Sequence, residues 1–132
     1  MQYVVNSPTG LFDAAFRREK ITALGDQLEK LNAVIPWEMF RPQLESALYD
    51  PQKRQNKGGR PPYDPVVMFK ALVLQHFYGL SDEQTEYQIL DRLSFQRFLG
   101  LELSDRVPDA RTIWLFKEKL SHGDLRGCVF FR

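Results

Sequence analysis

Apolar residues early in the chain recur at helical intervals. Ile21, Leu24, Leu28, Leu31 and Ile35 follow steps of three, four, three and four, the spacing that lines one face of an α-helix. Helical patterning begins at Leu11, after a polar lead-in that closes on the turn-forming Ser7-Pro8-Thr9-Gly10. The stripe fits a helix packed on its own domain. A short coiled-coil seam between two chains is the lesser alternative, and two heptads are too few to insist on it.

Pro36 suits the first turn of a second helix running to about Tyr49, with Trp37, Phe40, Leu44 and Leu48 on one face. Pro42 should bend or restart it, because proline lacks a donor and crowds the preceding turn. Periodicity then lapses through a stretch rich in Gly, Pro, Lys and Arg, which reads as a linker. Asp64-Pro65 supplies an N-cap and an N1 proline for a helix from Val66 to Tyr78, apolar around nearly its whole circumference and ended by Gly79. Such a helix belongs at the centre of a core.

Ser81 and Gln84 form a capping box for a helix over Asp82 to Asp91. Ser94 opens a short helix, Phe95 to Leu99, closed by Gly100. Asp109 caps a last helix ending near Leu120. Strand-like alternation is absent, with "CVFFR" at the end the one candidate exception. The expected fold is all-α. Its organisation is an N-terminal helical segment (1–50), a basic Gly/Pro linker or arm (51–64), a helix-turn-helix-like cluster of short helices (65–120) and a tail (121–132).

Composition narrows this picture. With 43% hydrophobic and 13% aromatic residues, a chain of 132 residues can bury a genuine core, which argues against disorder. One cysteine, Cys128, allows no internal disulfide, and no apolar signal segment opens the chain. A reducing cytoplasm is the expected location, and no apolar run is long enough to span a bilayer.

Charge adds more through its distribution than its total. The formal net charge is +1, but residues 51–64 carry Lys53, Arg54, Lys57 and Arg60 against Asp64. Residues 106–132 hold six Lys/Arg against three Asp/Glu, while the intervening and N-terminal stretches are net acidic. Two local basic patches are what an anionic partner feels within a Debye length of roughly 8 Å.

The stretch "NKGGRPPYDP" has three readings. A phosphate-cradling loop fails, since the required Gly and Lys-Ser/Thr spacing is missing and two prolines remove amides. A solvated hinge and a DNA-binding arm both remain. In the arm, glycine permits close approach and proline keeps the chain extended. Arg60 would then enter a narrow minor groove while Lys53, Arg54 and Lys57 touch phosphates.

The last helix, "DARTIWLFKEKL", is the candidate recognition helix. Ile113, Phe116 and Leu120 should face inward, leaving Arg111 and Lys119 towards DNA and Thr112 placed to bond a phosphate. Trp114 and Leu115 stand where a groove-facing helix would more usefully carry polar groups, and they suit packing on a missing neighbour instead. Plain bundle packing without DNA is the competing account.

No catalytic constellation emerges. His76 and His122 have no metal-ligand partner at a sensible spacing, and Cys128 has no histidine arrangement that would make it a nucleophile. The acidic residues Asp82, Glu83, Glu86 and Asp91 read as a solvated helix face. No metal, cofactor or catalytic residue is expected in this chain.

"GRPPYDPVVMFKALVLQHFYGLSDEQTEYQILDRLSFQRFLGL", followed by "VPDARTIWLFKEKL", closely resembles the N-terminal domain of bacterial insertion-sequence transposases of the InsH type. The resemblance covers about Gly59 to Leu120. It implies a DNA-binding domain that recognises terminal inverted repeats, in a nucleoid-associated protein. In full-length relatives it also implies a downstream ribonuclease-H-like domain whose acidic triad (DDE) holds divalent metal such as Mg. This chain ends soon after its last helix, so that catalytic domain is expected to be absent, and "GDLRGCVFFR" does not read as the family's continuation. Two other roles stay open. One is a truncated regulator that pairs with itself or the full-length enzyme through Ile21, Leu24, Leu28, Leu31 and Ile35; the other is a helical interaction module that never touches DNA.

Overall fold

The computed structural model describes residues 10–48 and 63–122. Lys53, Arg54, Lys57 and Arg60 lie outside the described residues, as does the terminal "CVFFR". Seven α-helices appear among the described residues, with no strand: α1 Asp13–Leu24, α2 Gln27–Val34, α3 Arg41–Leu48, α4 Pro65–Tyr78, α5 Asp82–Asp91, α6 Leu93–Leu99 and α7 Ala110–His122. A short 3₁₀ turn, Trp37–Phe40, precedes α3. None of the described helices is long and apolar enough to cross a membrane.

The centre is α4. Asp64 Oδ1 accepts from the Val66 amide at 2.8 Å, and Pro65 takes the first helical position, where its missing N–H costs nothing. Val66, Met68, Phe69, Ala71, Leu72 and Leu74 are all buried along it. The helix stops where Gly79 turns left-handed at φ 63°, a conformation that glycine adopts without a Cβ clash. The Leu80 amide closes the end on Gln75 O at 2.9 Å.

Residues on both sides of the 49–62 stretch share a single core. Leu28, Trp37 and Leu44 from the N-terminal half bury against Phe69, Phe95, Phe98, Ile113 and Leu120. Trp37 meets Phe69 edge-on at 6.1 Å and Phe98 at 5.5 Å, the geometry that suits aromatic quadrupoles. Lys70 lies over the Trp37 ring at 5.3 Å and donates to Phe98 O at 3.1 Å, and burial pushes its pKa below the ordinary lysine range.

Ionic contacts close the remaining joints. The Arg41 guanidinium donates to Glu38 at 2.6 Å and to Asp64 Oδ2 at 3.0 Å, tying the start of α3 to the start of α4. Burial alone would raise the Asp64 pKa, but the Arg41 and Val66 hydrogen bonds hold the carboxyl below its usual range. Arg97 on α6 reaches Glu29 at 2.6 Å, the Arg18 carbonyl at 3.0 Å and the Thr22 hydroxyl, which holds α1 and α2 against α6. Arg18 in turn pairs with Glu102 at 3.1 Å.

Three expectations about local structure are corrected, the simplest being that α6 starts at Leu93 after Arg92, before Ser94. The Ile21–Ile35 stripe is not a single helix, because Gly25 at φ 100° ends α1 and Asp26 starts α2 by accepting from the Leu28 amide. A left-handed glycine followed by a capping aspartate outweighs the three-four periodicity. Leu28 is committed to the core, Leu31 and Ile35 pack against it, and Leu24 is 78% exposed. The second N-terminal helix also starts later than Pro36, as a 3₁₀ turn, and Pro42 falls in the first turn of α3, where it is tolerated.

Candidate nucleic-acid interface

Helix α7 is one place where the fold leaves cations exposed. Its first turn is capped by Asp109, whose Oδ1 accepts from the Thr112 amide at 2.7 Å. The Thr112 hydroxyl bonds the same carboxyl and is the main reason that the Asp109 pKa sits below the usual range, aided by the nearby Arg111 and Arg106 charges. Thr112 therefore directs its donors into the cap, so a phosphate would have to displace Asp109 to reach them. Glu86 on α5 accepts from the Ala110 amide at 3.2 Å, so a second carboxylate satisfies this helix end.

The inward face of α7 is as its spacing predicts: Ile113, Phe116 and Leu120 are buried. Outward lie Arg111, Leu115 and Lys119, one turn apart, with Trp114 beside them. Arg111 and Lys119 are exposed and form no ion pair among the described residues, whereas Trp114 and Leu115 are 50% and 39% exposed. The two apolar side chains are not buried against a neighbouring helix.

Two of the acidic residues expected on a solvated face belong to the framework of this helix. Asp82 receives Lys117 in an ion pair and Gln75 Nε2 at 2.7 Å. Burial alone would raise its pKa, but these donors hold it below the usual carboxylate range. Glu86 caps α7, as above, while Glu83 and Asp91 are exposed as expected. Spacing along α5 cannot reveal that a distant helix end falls above residues 82 and 86.

The loop before α7 holds the first described residue after the basic stretch. Tyr63 donates its hydroxyl to Val107 O at 3.1 Å, and the Arg106 guanidinium stacks 4.3 Å from the Tyr63 ring centroid. Tyr63, three residues after Arg60 in sequence, thus docks on the loop that leads into Arg111. Tyr63 and Arg106 were not singled out by spacing, because they meet across 43 residues of sequence and no local signal marks the pair.

Among the described residues, no three His, Cys, Asp or Glu side chains gather into a group able to hold a metal ion. His76 lies on the exposed part of α4, and His122 closes α7.

A family model described as "Transposase domain (DUF772)" matches residues 16–119. No solved structure matches the chain.

Proposed function

This chain belongs to the DUF772 transposase-domain family, and on that premise we propose that it is the DNA-binding part of an insertion-sequence transposase of the InsH type, one that engages the element's terminal inverted repeats. The observation that carries this reading is the outward side of α7, where Arg111 and Lys119 stand exposed and form no ion pair among the described residues.

In this proposal Lys53, Arg54 and Lys57 neutralise phosphates, Arg60 enters a minor groove, and α7 docks in the adjacent major groove as in a helix-turn-helix. Arg111 and Lys119 are eight residues apart, about 12 Å along the axis at 1.5 Å per residue, which is comparable to the major-groove width. Phosphodiester chemistry is assigned to the separate metal-holding domain of full-length relatives, not to this chain.

A mobility-shift titration of the full chain, comparing the terminal repeat with scrambled duplex across a salt series, tests the reading. Tighter binding to the repeat is expected, with affinity falling linearly on a logarithmic salt axis. Equal and negligible binding to both duplexes at low salt sinks it.

A second reading has one specific observation in its favour. Leu11, Phe12, Phe16 and Leu24 are all strongly exposed on and beside α1, which has no buried residue. That surface supports a regulatory role in which the chain pairs with itself or with the full-length transposase. Of the five residues of the N-terminal stripe, only Leu24 is exposed.

A further inference from the structure

The outward row of α7 has an order of its own: a cation, an apolar residue and a second cation. Arg111, Leu115 and Lys119 follow one another at single turns, and Trp114 widens the apolar middle. Glu118 stands on the same side of α7, one turn from Trp114, and Asp109 is turned to the cap. Several other cations are engaged: Arg41, Arg97 and Lys117 pair with carboxylates, and Lys70 and Arg92 lie over aromatic rings.

Duplex DNA offers a surface of matching order. Phosphate ridges border the major groove, and its floor carries one apolar group, the C5 methyl of thymine. Resting on the DNA-binding reading above, we propose that Trp114 and Leu115 are specificity-determining residues that read thymine methyl groups, with Arg111 and Lys119 seating the helix on the flanking backbones. The sites preferred by this chain would then hold thymine opposite the middle of α7. The two apolar side chains that look out of place on a recognition helix become its reading element.

Deoxyuridine isolates the methyl, since it keeps every hydrogen-bonding group of thymidine. Duplexes enriched from a randomised pool by binding to the full chain would be resynthesised with deoxyuridine at one thymidine at a time. The expected result is a loss of about fourfold in affinity per contacted methyl, the value of one buried methyl-sized group. Trp114→Ala and Leu115→Ala should bind the two duplexes equally, and 5-methylcytosine at the same step of a G·C pair should restore affinity to the native chain. Arg111→Ala should weaken both duplexes and preserve their ratio.

Equal binding of thymidine and deoxyuridine duplexes by the native chain, with the salt dependence intact, overturns the thymine reading and leaves DNA binding standing. Failure to enrich any duplex overturns both. If Trp114→Ala abolishes self-association in sedimentation yet leaves the thymidine-to-deoxyuridine ratio unchanged, the face is a protein contact and the proposal falls.

Discussion

Arg41 and Arg111 both sit in the first turn of a helix, yet the fold uses them in opposite ways. Arg41 is half-buried and held by Glu38 and Asp64, so its charge joins α3 to α4. Arg111 is exposed, and Asp109, two residues before it, is engaged with Thr112. The same contrast separates Arg97, which holds α1 and α2 to α6, from Lys119, which holds nothing. Net charge near zero hides this division: Arg18, Arg41, Arg97 and Lys117 serve the framework, whereas Arg111 and Lys119, like Arg17, Lys20 and Lys30, form no ion pair among the described residues.

The contrast is broken most severely from the framework side. Phe98, 1% exposed and packed against Trp37, is among the largest fully buried core residues. Phe98→Ala should cost roughly 3–5 kcal/mol, enough to unfold a marginal domain, and chemical denaturation followed by circular dichroism would measure it. An unchanged midpoint would mean that the two halves do not share one core.

Asp64 sharpens the comparison because it plays two parts, N-cap of α4 and partner of Arg41. Asp64→Ala should cost about 1–2 kcal/mol, and Asp64→Asn less, since asparagine keeps the cap and loses only the charge. Its folded pKa lies below the unfolded value, so its contribution is present above that unfolded value and is lost as pH falls through the folded one. Glu38, Asp82 and Asp109 are shifted in the same direction. Stability should therefore fall below about pH 4, and Asp64→Asn should flatten that acid limb in urea titrations taken at a series of pH values. An acid limb unchanged by the substitution would remove Asp64 from the account.

The smallest effect on stability should come from the other side of the contrast. Arg111→Ala and Lys119→Ala should each shift stability by less than about 0.5 kcal/mol, because neither side chain is buried or ion-paired. Each should nonetheless lower the slope of log affinity against log salt by about one on duplex DNA. If either substitution destabilised the fold as Asp64→Ala does, the division between framework and partner-facing cations would fail.

Most element boundaries were legible in the sequence because caps are local. Asp64-Pro65, Ser81 with Gln84, Gly79, Gly100 and Asp109 act within one turn of where they stand, and the structure uses each in that role. The buried stripe Ile113, Phe116 and Leu120 was legible for the same reason, since period alone decides which side of a helix is apolar. Gly25-Asp26 carried a break signal of the same kind, and a continuous three-four stripe masked it.

What the sequence determined by itself, then, is where helices start, stop and present an apolar face, because capping and periodicity depend on neighbours within a few residues. Only the tertiary structure decided that Asp82 and Glu86 serve α7, that Tyr63 docks on the loop before it, and that Arg111 and Lys119 stay unpaired. Those outcomes depend on which helix ends meet across the core, and ion pairs between distant residues leave no periodic trace in the chain.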